Sequence, residues 1–223
     1  MEFYCRGLSF DMKYEHIVWD WNGTLVNDAE LCVSIVNQIL NDYGILPVNG
    51  AFYLDNFSFP VCEYYKSLGL PSCGPEYQKI SQRFIEEYRK KHHNCKLQQS
   101  SIKMLGYIQG CGISQSVLSA GNIADVLDFV NYHKLSDFFS IISGVYHTHA
   151  TGKSDIALKH LNQIQVSTSK ILLIGDTLHD FDIATDLKVD CILYSKGHNS
   201  ENRLLEVSNL VINDLGELVG LID

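Results

Sequence analysis

The stretch VWDWNGTLVND, Val18 to Asp28, opens as an apolar strand, meets an acid at Asp20 and turns at once through Asn22, Gly23 and Thr24. Asn-Gly is strong turn chemistry, so the strand ends here. An aspartate at the C-terminal tip of a buried strand stands where open α/β sheets bind their ligands. Working outward, similar short, β-branched runs recur between turn residues. They are HIVWDW (His16 to Trp21), QSVLSA (Gln115 to Ala120), FFSIISG (Phe138 to Gly144), KILLIGD (Lys170 to Asp176), CILYS (Cys191 to Ser195) and LVIND (Leu210 to Asp214). Near-continuous apolar runs of this length suit strands covered on both faces, as in a parallel sheet. Helical patterns lie between them: SIKMLGYIQG, NIADVLDFVNYH, KSDIALKHLNQI and FDIATDLK. The alternation predicts an α/β fold, a Rossmann-like parallel sheet with right-handed crossovers.

One region breaks the alternation. From about Val26 to Lys96 no strand-like run intervenes, and DAELCVSIVNQILNDYG has helical spacing with Gly44 in a stop position. FPVCEYYKSLGL and EYQKISQRFIEEYRKKH also read as helices. The expected organisation is a core of residues 14–26 and 97–223 with an inserted α-helical cap at 27–96. Residues 1–13 form an N-terminal extension, and Met12 is an alternative start. The insert is expected to pack over the ligand edge of the sheet as a lid.

Composition narrows the partners. Net charge is -9 and pI about 5.4. An acidic surface argues against nucleic acid and against an anionic membrane, because phosphate backbones reward clustered Lys and Arg. The basic run YRKKHH, Tyr88 to His93, reads as a helix C-terminus. Seven cysteines, odd in number and irregularly spaced without a CxxC pair, fit reduced thiols in a cytoplasmic protein. No signal peptide or membrane span is expected. A small molecule is the expected partner, bound by a monomer or homodimer.

Four stretches fall at the tips of predicted strands and so converge. They are Asp20 with Asn22, Gly23 and Thr24; Ser119 with Ala120, Gly121 and Asn122; Lys153 in HATGKSD; and Gly175-Asp176-Thr177 with Asp180. Asp20, Asp176 and Asp180 would crowd carboxylates at one edge. Such a set needs a cation, and hard oxygen ligands select magnesium. Lys153 adds fixed positive charge, and Ser119 and the glycine turns supply donors. Around one aspartate, this makes a site for a dianionic phosphoryl group. The aspartate can attack phosphorus and form an aspartyl-phosphate.

The set resembles the haloacid dehalogenase superfamily of phosphohydrolases. Its motifs appear in order as DWNGT, LSAGN, GKSD and GDTLHD, and the resemblance runs from about His16 to the C-terminus. The helical insert is similar to the cap of the phosphoglycolate phosphatase-like branch. The resemblance implies a Mg²⁺-dependent phosphohydrolase of a small phosphorylated metabolite, with phosphoglycolate the default. It implies Asp20 as nucleophile, with Mg²⁺ on Asp20, the backbone carbonyl of Asn22 and Asp176, and Asp180 close by. Ser119 and Lys153 would hold the phosphoryl group, helped by Ala120, Gly121 and Asn122, and Thr24 would orient the first loop.

Asn22 departs from the pattern, because the superfamily's phosphatases mostly carry a general acid/base aspartate there. Its loss typically costs about 10²–10⁴ in rate. Three readings stay open. The leaving group needs little protonation, or His147, His149 or His179 supplies the proton; the enzyme is slow; or the fold binds a phosphorylated ligand without turnover, as a regulatory protein. A phosphonate-cleaving relative also lacks an acid at this position, but needs a cap lysine from among Lys66, Lys79, Lys90, Lys91 and Lys96. Blander roles also stand. Asp180 could cap a helix. The His147/His149 pair lacks a third ligand for zinc. TGKS is no phosphate-binding P-loop, because His147 stands where that motif needs glycine. Lys196 and His198 border the pocket at most.

Overall fold

The computed structural model of the protein describes residues 12–146 and 152–222. Six strands form one parallel sheet in the order β5-β4-β1-β6-β7-β8. In chain order these are β1 (His16–Trp19), β4 (Ser114–Asn122), β5 (Ile141–Val145), β6 (Ile171–Gly175), β7 (Asp190–Tyr194) and β8 (Val211–Ile212). β1 and β6 are buried throughout, as expected of strands covered on both faces. The helices α5 (Ser101–Gly110), α6 (Ile123–Tyr132), α7 (Ser154–Leu161) and α8 (Leu178–Leu187) connect them. Two apolar clusters sandwich the sheet. One gathers Trp19, Val117, Phe129 and Ile174; the other gathers Val18, Leu118, Leu173 and Ile183.

Strand limits differ from the sequence reading at several ends. β1 stops at Trp19, because the backbone turns as soon as Asp20 N–H has bonded the Ile174 carbonyl at 2.8 Å. The expected strand from Phe138 starts at Ile141, since Ser136–Phe138 form a 3₁₀ turn. Residues Thr168–Lys170 do the same before β6.

The chain leaves the sheet through β2 (Val26–Asn27) and returns through β3 (Lys96–Leu97), which pair antiparallel. Two-residue strands carry no periodic signal, and the sequence reading contains neither. Between them lie α1 (Ala29–Asp42), α2 (Gly50–Asn56), α3 (Val61–Ser67) and α4 (Gly74–Lys91). The short helix α2 is also new to the structure; Asn49 caps it by accepting from Phe52 N–H. These four helices share an apolar cluster of their own, with Ile35, Ile39, Tyr53, Tyr65 and Ile80 inside it. No described helix is long and apolar enough to cross a membrane.

Candidate active site

Asp20 and Asp176 follow directly on β1 and β6, Ser119 lies in the C-terminal half of β4, and Lys153 at the start of α7 meets them at the same edge of the sheet. Parallel strands present all their C-termini on one edge, so the convergence follows from the sheet. Lys153 is fully buried, and its ammonium donates to the Leu118 carbonyl at 2.9 Å. It also bridges Asp20 Oδ1 and Asp180 Oδ1, the latter at 2.6 Å. Burial pulls its pKa down, but Asp180 and Asp20 outweigh this and hold it above the usual lysine value.

Asp176 is held on both oxygens. Thr24 Oγ1 donates to Oδ1 and His198 N–H donates to Oδ2, each at 2.6 Å. This tight fit requires bare glycine at two neighbours. Gly23 sits at φ +81°, and a methyl on it would lie 2.2 Å from Asp176 Oδ2; one on Gly197 would lie 2.1 Å away. Asp180 caps the helix that follows it and also pairs with Lys153. Its Oδ2 accepts from Thr177 N–H and Thr177 Oγ1 at 2.9 and 2.6 Å, closing the cap of α8, while Oδ1 faces Lys153.

Ser119 Oγ accepts from Gly121 N–H at 2.9 Å. Ala120 and Gly121 line the same cavity. Asn122 lines it too, but its side chain is occupied in capping α6 through Ala124 N–H at 3.0 Å.

The donor set fits a hard divalent cation. Asp20, Asp176 and Asp180 are buried, and each offers an oxygen within 4.8 Å of the others. Burial pushes the Asp20 carboxyl well up despite Lys153, and Asp180 and Asp176 add to the push. Burial likewise lifts Asp176 to about 6, against the opposing pull of His198. Against its burial, Lys153 and Thr177 hold Asp180 below the usual carboxylate range, which leaves Asp20 and Asp176 as the under-compensated pair that a cation would neutralise.

Asn22 has a task that its sequence position conceals. Its amide donates to Asp28 Oδ2 and to Tyr88 OH, both at 2.7 Å, and Tyr88 OH also donates to Asp28 Oδ2 at 2.7 Å. Asp28 is fully buried. Its Oδ1 takes Gly23 N–H at 3.0 Å and lies 3.2 Å from His198 Nε2. The other ring nitrogen of His198 meets Tyr53 OH at 2.9 Å. Burial lowers the His198 pKa, but Asp28 more than reverses this and raises it to about 9. The sequence reading gave Asp28, Tyr88 and Tyr53 no named role in the site, and His198 is far more deeply placed than that reading allowed. The available signal was modest: Asp28 follows the Gly-Thr turn, and His198 follows a strand tip like the other site residues. Lys196 is exposed, and only its carbonyl engages the site region, through Gln98 Nε2 at 3.0 Å.

His179 lines the cavity and accepts Lys153 N–H on Nε2 at 3.0 Å, which places its proton on Nδ1. His147 and His149 lie outside the described residues.

This fold and this carboxylate-lysine edge define a hydrolase class. The haloacid dehalogenase-like hydrolase family matches residues 17–194, and the chain belongs to that family. It is 21% identical over 224 residues to an N-acetylmuramic acid 6-phosphate phosphatase of Pseudomonas aeruginosa, covering 95% of this chain and 96% of that one. Its fold is similar to that of a predicted phosphatase from Clostridium acetobutylicum, at TM-score 0.79 and 18% identity, covering 94% of this chain and 98% of that chain. It is similar too to a predicted phosphoglycolate phosphatase from Haemophilus somnus 129pt, at TM-score 0.78 and 15% identity, covering 96% and 100%. The expected Rossmann-like α/β fold and the resemblance to this hydrolase family both hold.

Proposed function

We propose that the protein is a Mg²⁺-dependent phosphatase of small phosphorylated molecules, working through an aspartyl-phosphate on Asp20. The observation that carries this reading is the buried Asp20–Lys153–Asp180 bridge beside Ser119 at the base of a cavity. The curated relative's name, a phosphatase of a sugar-acid phosphate, agrees with it.

Lys153 holds Asp20 Oδ1, so Oδ2 is the attacking oxygen. Its lone pair forms the new bond to phosphorus, and the P–O bond to the leaving group breaks with its electron pair going to that oxygen. Water then attacks phosphorus, the Asp20–phosphoryl bond breaks, and Asp20 returns as carboxylate with inorganic phosphate released. Ser119 Oγ and the backbone N–H groups around Gly121 serve the phosphoryl oxygens, with Lys153 neutralising charge. Thr24 and His198 N–H keep Asp176 in place. Asp20, the Asn22 carbonyl and Asp176, with Asp180 nearby, would hold Mg²⁺, which would supply charge neutralisation for the phosphoryl group. Helices α1–α4, between residues 27 and 96, act as the cap and exclude water from the cavity.

The phosphonate-cleaving alternative finds no support, because no lysine of residues 27–96 lines the cavity. Lys66, Lys79, Lys90 and Lys91 are engaged with surface glutamates instead. Phosphoglycolate satisfies the phosphoryl end as any phosphate monoester does; the rest of the cavity is taken up below.

The test is phosphate release from 2-naphthyl phosphate and phosphoglycolate, with Mg²⁺ or EDTA. Wild type is expected to release phosphate only with Mg²⁺, and Asp20→Asn to lose at least about 10³-fold. Calorimetry should show Mg²⁺ binding that Asp176→Ala abolishes. Ligand binding without any release would leave a binding protein in place of an enzyme.

A further inference from the structure

Resting on the phosphatase reading, we infer that the substrate is an aryl phosphate, a phosphate monoester of a phenolic oxygen on an uncharged ring. Two observations carry it.

The first is the wall of the cavity. Beyond the carboxylate-lysine base, the space of about 190 Å³ is enclosed by rings from both sides. Phe57, Phe59, Tyr64 and Phe84 come from the cap, and Trp21 and Phe129 from the core. Phe59 packs on His179 with ring centroids 5.0 Å apart, so the aromatic wall begins directly above the lysine loop. Among the described lining residues, Lys153 is the one lysine or arginine. Its ammonium is already shared by Asp20, Asp180 and the Leu118 carbonyl. The imidazoles that line it are engaged as well: His198 with Asp28 and Tyr53 OH, His92 with Asp128, and His179 with Lys153 N–H. Among the described lining residues a second anionic group on the substrate, such as the carboxylate of phosphoglycolate, would find no free lysine or arginine, and burying it without one is costly. An aromatic ring would gain area burial and ring packing there.

The second is the leaving-group end. Asn22 spends its two amide hydrogens on Asp28 and Tyr88. Asp28 has all its acceptor directions occupied by Gly23 N–H, Asn22, Tyr88 and His198, the pattern of an ionised carboxylate with no proton to give. His179 has Nε2 committed to Lys153 N–H, so among these described residues none offers a proton to the leaving group. A phenolic oxygen, with a conjugate-acid pKa of about 10, departs without a proton. An alkoxide, about as basic as hydroxide, with a conjugate-acid pKa of about 16, does not.

Two measurements test the inference. Direct calorimetric binding, in Mg²⁺, compares 2-naphthylmethylphosphonate with phosphonoacetate. The aryl ligand is expected to bind at least about tenfold tighter. Phe84→Lys, which adds a cation to the wall, narrows or inverts that order, and Phe59→Lys does so if Phe84→Lys fails to fold. Equal or tighter binding of phosphonoacetate by wild type overturns the inference. Phosphate release then compares 2-naphthyl phosphate with 2-phenylethyl phosphate, which keeps a ring but has an alkyl leaving group. A kcat ratio of about 10² or more in favour of the naphthyl ester is expected. Equal turnover overturns the phenolic assignment. Failure of the phosphatase reading looks different: no phosphate appears from either ester, while the binding order is still measurable.

Discussion

Asn22 shows how one residue can be misjudged from its position alone. By position it is an acid lost. By contact it is an amide that donates twice, to Asp28 and Tyr88, and a carboxylate can donate to neither. Asn22→Asp would set two carboxylate oxygens 2.7 Å apart. We therefore expect the single substitution to destabilise the fold by about 1–3 kcal/mol in urea unfolding, as an unpaired buried charge does. Adding Asp28→Asn should recover much of that loss, because the donor and acceptor are then exchanged. The double variant should hydrolyse 2-phenylethyl phosphate about 10²-fold faster than wild type, with little gain on the naphthyl ester. If the single variant is as stable as wild type, the two-donor account of Asn22 is wrong. Gly197 makes a second residue-scale case. A methyl there meets Asp176 Oδ2 at 2.1 Å, so Gly197→Ala should displace that carboxylate and weaken Mg²⁺ binding by at least about tenfold, measured by calorimetry, with far-UV dichroism unchanged.

At the scale of elements, the regular pieces were legible and the joints were not. α1 and α4 show their 3.6-residue apolar stripe in the bare sequence, and the strands show as apolar runs. β2 and β3, two residues each, exist only because they find one another across the cap's base. The grip of α4 on the core is likewise tertiary. Tyr88 reaches Asn22 and Asp28, while Arg89 pairs with Asp125 of α6 at 2.7 Å. These contacts differ in weight. Tyr88→Phe orphans buried partners and should cost about 1–2 kcal/mol in urea unfolding. Arg89→Ala breaks a half-exposed pair and should cost less than about 1 kcal/mol. A larger effect from Arg89→Ala would mean that the surface pair, rather than the buried triangle, holds the cap.

At the scale of the molecule, the sheet carries a buried polar chain that the site does not use. His16 Nε2 meets Ser116 Oγ at 2.7 Å, Ser116 Oγ meets His160 Nε2 at 2.9 Å, and His160 Nδ1 meets Ser143 Oγ at 2.8 Å. Burial holds both imidazoles down at about 4, against an ordinary 6.5; for His160, His16 and Lys153 add to the effect. Between those values the unfolded chain binds more protons than the folded one. This stabilisation is therefore fully present above about pH 6.5 and is lost as pH falls toward 4. The denaturant midpoint should drop across that window, and NMR should show neither imidazole titrating in the folded protein between about pH 7 and 5. Titration of either ring near its ordinary value would refute the assignment.

Sequence by itself determined the sheet, the order of its motifs and the gathering of Asp20, Ser119, Lys153 and Asp176 at one edge. The physical reason is local. A buried parallel strand must be a contiguous apolar run, and its C-terminal turn names the residue at the tip. Only the tertiary structure decided what Asn22 touches, that Asp28, Tyr88 and His198 line the same cavity, and that the described part of its wall is aromatic with no lysine or arginine besides Lys153. Those properties arise between residues as far apart as 66 positions for Asn22 and Tyr88 and 170 for Asp28 and His198. A side chain's chemistry there is set by the neighbours that packing supplies, and no local pattern records them.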